Sequence, residues 1–139
     1  MISKSVLLPV PPAQAFELFT ARIGQWWPQD RRHLNDPNSE LFLLESGRFY
    51  ERASDGTELE LGRVRLWESP HRIVLDFFVG TDAGHPTEVD IRFDAAAEGT
   101  RVSVSHRSSE SSAELWDKRA PIFGRSWDAV LSALRAAVP

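Results

Sequence analysis

Apolar and polar residues follow two different periods along this chain, and the change falls near residue 40. Before it, Ser3 to Leu8 reads as a short first strand ended by Pro9. Pro11 and Pro12 suit the first turn of a helix, where a missing N–H costs nothing. Ala13 to Ile23 follows, with Phe16, Phe19 and Ile23 forming one apolar stripe at helical spacing. Gly24 ends that helix, and Gln25-Trp26-Trp27-Pro28 makes an aromatic turn or a second short helix. Residues 29–40 are polar and contain Asn35, Asp36 and Pro37, which marks them as a loop.

Beyond the loop the period is two. Leu41 to Glu45, Arg48 to Ala53, Thr57 to Trp67, Arg72 to Val79, Thr87 to Ala95 and Arg101 to Arg107 read as six strands. Ser46-Gly47, Asp55-Gly56, Ser69-Pro70, Thr81 to Gly84 and Glu98-Gly99 supply the reversals between them. Connections this short require antiparallel pairing, because parallel neighbours need a crossover of about a dozen residues. The last element is a helix: Phe123, Trp127, Val130, Leu131, Leu134 and Val138 share one face. Pro121 belongs at a kink or at the first position of that helix, which makes Ala113 to Arg119 a separate turn or preliminary helix.

The order is therefore β-αα-β6-α, an α+β arrangement expected to form one domain over residues 1–139. A seven-stranded antiparallel sheet is wide enough to twist and curl. The long C-terminal helix is the one element able to cover its apolar face. A curled sheet around such a helix leaves a hollow between them.

The residues carry a resemblance. Gly62 to Phe77, Gly-Arg-Val-Arg-Leu-Trp-Glu-Ser-Pro-His-Arg-Ile-Val-Leu-Asp-Phe, is similar to the G-x-V-x-x-x-x-P-x-x-L-x-x-x-W/F hairpin of the family called activator of Hsp90 ATPase homologue 1-like. Thr87 to Phe93, followed by Glu98 to Arg107, looks like that family's next hairpin. Ser126-Trp127-Asp128 with Leu131 and Leu134 resembles its closing G-W-x-x-x-L-x-x-L helix, with Ser126 in place of the usual Gly and Pro121 near the helix start. Pro9 to Phe16 and Trp26-Trp27-Pro28 fit its opening helices. The resemblance spans essentially the whole chain and implies the helix-grip fold of the START/Bet v 1 (SRPBCC) superfamily, with a hydrophobic cavity. Function is not implied, because that superfamily includes lipid carriers, polyketide cyclases, hormone receptors and co-chaperone domains.

Composition narrows the chemistry. The 139 residues include no cysteine, which removes disulfides, thiolate metal sites and a cysteine nucleophile. The 16 basic residues are outnumbered by 20 acidic ones and scattered among them, so no basic footprint for nucleic acid exists. No apolar run is long enough for a membrane span or a signal peptide, and the cytoplasm is the expected address. Four histidines (His33, His71, His85, His106) stand far apart without metal-ligand spacing. His33 with Asp36 offers two donors where three or four are needed, so no metal or other cofactor is expected.

The expected function is binding of a small hydrophobic or amphipathic molecule in the hollow. Its sheet wall would be Val64, Leu66, Val89, Ile91, Val102 and Val104, and its helix wall Phe123, Trp127 and Leu131. Alternation puts His106 on the face of Val102 and Val104. There it serves either as a polar handle for the ligand or as a strand-end histidine bonded to a neighbour. Trp26 and Trp27 point about 100° apart in a helical turn, so one packs inward and one stands at the entrance. Trp67 alternates with Arg63 and Arg65 and so belongs to the outer face. Phe77 and Phe78 lie on opposite faces, with Asp76 on that of Phe78; alternation alone leaves open which face is inward. Two alternatives stand beside ligand binding: a cyclase- or dehydratase-like enzyme using His106, and a protein-interaction domain for a partner such as Hsp90.

Overall fold

The computed structural model describes residues 1–139. Strand β1 (Ile2–Leu8) leads into helices α1 (Pro12–Phe19) and α2 (Ile23–Trp26) and a single 3-10 turn at Gln29–Arg31. Strands β2 (Glu40–Leu43), β3 (Arg48–Arg52), β4 (Glu58–Glu68), β5 (Arg72–Phe77), β6 (Thr87–Ala96) and β7 (Gly99–Ser108) follow, and helix α3 (Ala113–Ala136) closes the chain. The strands form one antiparallel sheet in the order β1-β7-β6-β5-β4-β3-β2. Each hairpin neighbour pairs with the next, and β1 returns to the far edge beside β7. The sheet curls as a half-barrel around α3, which lies against β1 and β7.

The first helix is shorter than its apolar stripe. Pro12 occupies the expected first position, but α1 ends at Phe19, and Thr20 donates its hydroxyl back to the Phe16 carbonyl at 2.7 Å. Gly24 does not terminate anything. It sits inside α2, where a Cβ would stand 3.0 Å from the Leu41 carbonyl oxygen; the glycine lets α2 lie directly on β2. A similar close approach explains Gly62 at the head of the β4 motif, where a Cβ would lie 2.6 Å from the Asp76 carbonyl oxygen.

Pro121 is the second departure. Helix α3 runs unbroken from Ala113 to Ala136 with Pro121 inside it. The proline withholds one N–H from the carbonyl of Asp117, and both residues are exposed, so water completes that carbonyl. Trp116 therefore belongs to the same helix as Trp127.

The third departure is in β4. The pairing with β5 slips between Val64 and Leu66, so that Val64 faces Leu75, Leu66 faces Val74 and Trp67 faces Ile73. One extra residue in a strand sends everything after it to the opposite face. Leu75 and Ile73 belong to the inner core, whereas Val74 stands on the outer face between Arg72 and Asp76. Leu66 is accordingly on the outer face and Trp67 on the inner one, the reverse of the alternation reading. Trp67 packs edge-on against Phe16 at 5.3 Å between ring centroids. The same register places Phe77 inward and Asp76 outward, where Arg65 lies 3.5 Å away.

One core of 24 buried residues joins the sheet's inner face to all three helices. Phe16 and Phe19 of α1 close on Phe93 of β6 at 5.1 and 5.7 Å.

Candidate functional site

A cleft of about 210 Å³ opens where the end of β5, the turn after α2 and the first half of α3 meet. Its floor is aromatic. Phe77 enters from β5, Phe123 and Trp127 from α3, and Trp27 from the end of α2. The Trp127 ring lies 5.9 Å from Phe77 and 6.3 Å from Trp27, and Phe77 lies 6.3 Å from Phe123. Val79, Ile122 and Val130 extend the apolar lining, and Asp30, Arg31, Arg32, His33 and Arg119 form a polar mouth.

His106 lies beneath this floor, fully buried. The indole N–H of Trp127 donates to His106 Nδ1 at 3.0 Å. An indole nitrogen only donates, so Nδ1 must carry the lone pair and Nε2 the proton. Nε2 then donates to Thr87 Oγ1 at 2.7 Å, and the Thr87 hydroxyl donates in turn to the Phe77 carbonyl at 3.3 Å. Every side-chain polar atom of Trp127, His106 and Thr87 thus has a partner. Burial, with the N-terminal ammonium as a lesser cause, lowers the His106 pKa from 6.5 to about 3, so the imidazole is neutral. The chain runs from helix to sheet and fixes the rotamer of Trp127, one of the cleft's walls.

The mouth is held by a second polar cluster of opposite character. Arg32 donates to the carbonyls of Ser39, Gly24 (2.9 Å) and Trp27 (3.0 Å). Glu51, fully buried on β3, accepts the backbone N–H groups of His33 at 2.8 Å and Leu34 at 3.0 Å. Burial lowers the Arg32 pKa, and the Glu51 charge opposes that shift. These five bonds turn a polar loop without regular structure into a fixed lip.

Of the residues expected to bind ligand, Trp27, Phe123 and Trp127 border the cleft. Val89, Ile91, Val102, Val104 and Leu131 are buried in the central core, with Val64 packed against it, and none of them reaches the cleft. Leu66 is on the outer face. Trp26 is buried and donates its indole N–H to the Leu18 carbonyl at 2.8 Å; it borders a separate groove of about 450 Å³ with Leu18, Arg22 and Val138. His106 is not at a cavity mouth, because Phe77, Phe123 and Trp127 cover it at 5.3, 4.4 and 6.2 Å. Asp36, the other half of the His33 pair, accepts the Ser54 N–H (2.7 Å) and hydroxyl (2.5 Å) and the Asn38 N–H (2.8 Å). It is a loop staple. No group of three or more His, Asp or Glu side chains is arranged to hold a metal ion.

Arg31, Arg119, Phe77 and Val79 escaped the sequence reading. Phe77 was hidden by the unsettled register. The Arg31-Arg32-His33 run was visible but looked like an ordinary solvated loop, and nothing local connects it to Arg119 some ninety residues later.

A curled seven-stranded antiparallel sheet gripping a long C-terminal helix, with a cleft between them, defines a helix-grip protein. The chain belongs to the family of activator of Hsp90 ATPase homolog 1-like proteins, whose model matches residues 9–138. No curated protein matches it. Solved structures share the fold at low identity. A protein from Staphylococcus saprophyticus is 22% identical with a TM-score of 0.64, over 96% of this chain and 87% of that one. One from Arthrobacter aurescens is 16% identical with a TM-score of 0.68, over 98% and 84%. DynU16, a putative protein in the dynemicin biosynthetic locus, is 16% identical with a TM-score of 0.62, over 97% of this chain and 45% of its own. The fold is generally a ligand-binding one. No helix is long and apolar enough to cross a membrane.

Proposed function

We propose that the protein binds a small hydrophobic or amphipathic molecule in the cleft between β5 and α3. The observation that carries this reading is the aromatic floor itself: four rings from three separate elements pack together and line one concavity. Burying apolar ligand area there contributes roughly 25 cal/mol per Å² before association costs. The size points to a small occupant. Drug-sized ligands use cavities of about 300–1,000 Å³, whereas one benzene ring fits an apolar cavity of about 150 Å³. A cleft of about 210 Å³ suits a single ring with a short substituent.

A cyclase-like reaction through His106 finds less support, since both ring nitrogens are engaged and the site holds no free imidazole base beneath the cleft. Docking to Hsp90 rests on the family's description and on no residue of this chain. The test is a fluorescence and thermal-shift titration with single-ring and short-chain apolar compounds, reading Trp27 and Trp127. Saturable quenching with a matching rise in Tm is the expected result. Ser126→Phe, which places a ring at the half-buried lip, should abolish it. Flat fluorescence and Tm across all compounds would overturn the proposal and put the partner-protein reading first.

A further inference from the structure

Three arginines and one histidine border the mouth of this cleft, and Asp30 is the one acid among them, on a chain whose formal net charge is −4. The arginines are not equivalent. Arg32 is engaged with three backbone carbonyls and faces Glu51, so it belongs to the lip. Arg31 and Arg119 make no ion pair. The Nε atoms of Arg31 and Arg32 are alike sealed from water without a hydrogen-bond partner. What sets Arg31 apart is its lack of the carbonyl partners that hold Arg32. Arg119 approaches from the helix side: a Cβ built on Gly80 would stand 4.0 Å from its Cδ, so its stem crosses the lip beside the aromatic floor.

An apolar floor and two guanidinium groups without ion pairs, one from the turn and one from α3, select one chemistry. We infer that the ligand of this cleft is a small apolar acid, a ring or short chain seated on Phe77, Phe123 and Trp127 with a carboxylate held between Arg31 and Arg119. This rests on the proposed ligand-binding function and narrows it. Guanidinium matches a carboxylate better than an ammonium does, because its planar fork donates two parallel hydrogen bonds. The cleft's low polarity strengthens that pairing relative to open solvent.

Phenylacetate and phenylacetamide have the same shape and differ in charge, which makes them the probes. Titrated against the purified protein by tryptophan fluorescence, phenylacetate should bind about tenfold more tightly than the amide. Arg119→Gln, on the exposed face of α3, and Arg31→Gln should each weaken the acid several-fold and the amide less, so that the ratio of the two affinities falls. Raising the salt concentration should weaken the acid alone. Equal affinities for the two probes, or an unchanged ratio in both variants, overturn this inference while leaving the cleft's function standing. If neither probe binds at millimolar concentration while other apolar compounds of the wider series do, this inference alone is overturned. Silence across the whole series overturns the proposed function and the inference with it.

Discussion

The hollow between sheet and helix is closed at one end and open at the other, although aromatic rings line both. At the closed end α1 lays Phe16 and Phe19 onto Phe93, and Trp67 arrives edge-on from β4. At the open end the covering chain is the short turn Gln29–Arg31, whose side chains are polar and long. At both ends helix rings pack on sheet rings. At one, α1 lays its own rings over the sheet, whereas at the other the arginine turn leaves a cleft of about 210 Å³ beside them. The difference lies in what covers the sheet, and the sheet's own composition does not decide it.

The contrast breaks most sharply at Phe93, which is 1% exposed. Phe93→Ala should cost about 3–5 kcal/mol in urea unfolding, because interlocked rings cannot collapse into the void. A cost under 1 kcal/mol would mean that the closed end is as loosely filled as the cleft. Acid is the next lever. His106 titrates near 6.5 when unfolded and near 3 when folded, so the unfolded state gains a proton first as pH falls. Its neutral form therefore contributes fully above pH 6.5, and stability is lost progressively from there down to pH 3. At pH 4.5 the loss is about 2–3 kcal/mol. His106→Gln keeps an acceptor for Trp127 and a donor for Thr87 and cannot charge. The stability of wild type relative to the variant should therefore fall by about 2–3 kcal/mol between pH 7.5 and pH 4.5; parallel pH profiles would remove His106 as the sensor.

The two ends also differ in how much of them can be read from the chain. Strand alternation and turn chemistry located every strand to within a few residues, and the stripe Phe123, Trp127, Leu131 and Leu134 located the buried face of α3. Misreadings fall where geometry is non-local. Val64-Arg65-Leu66 alternates and Trp67 breaks the pattern, but the slip that turns Leu66 out and Trp67 in is set by the pairing with β5. Pro121 obeys a local rule that an exposed helix face overrides. The cleft is the extreme case. Its walls are separated by up to about a hundred residues, and its distinguishing groups, Arg31 and Arg119, resemble the many solvated arginines of the chain until the fold brings them to one opening.

The lip offers a smaller test of the same contrast. Glu51→Gln leaves one acceptor oxygen for two backbone N–H groups, so one of the His33 and Leu34 amides loses its partner. The expected cost is about 1–3 kcal/mol, with faster hydrogen exchange at those two amides while the Phe93 amide stays protected. Exchange accelerating throughout the sheet would mean that the lip is part of the core and not a cover laid over it.

The smallest effect is expected at the rim, and it is the one that separates an open cleft from a closed one. Ile122 is 41% exposed and borders the cleft on α3. If the open end is open in solution, Ile122→Ser removes little buried area, and stability should stay within about 0.5 kcal/mol of wild type. Binding of an apolar probe should nevertheless weaken, since the same side chain would be covered by the occupant. Stability and affinity are thus expected to part company at Ile122. At Phe93 stability falls heavily, because that ring is already covered by α1. A loss of more than about 1.5 kcal/mol in Ile122→Ser would show that the turn and the helix close on each other when the cleft is empty, and the two ends of the hollow would then be alike.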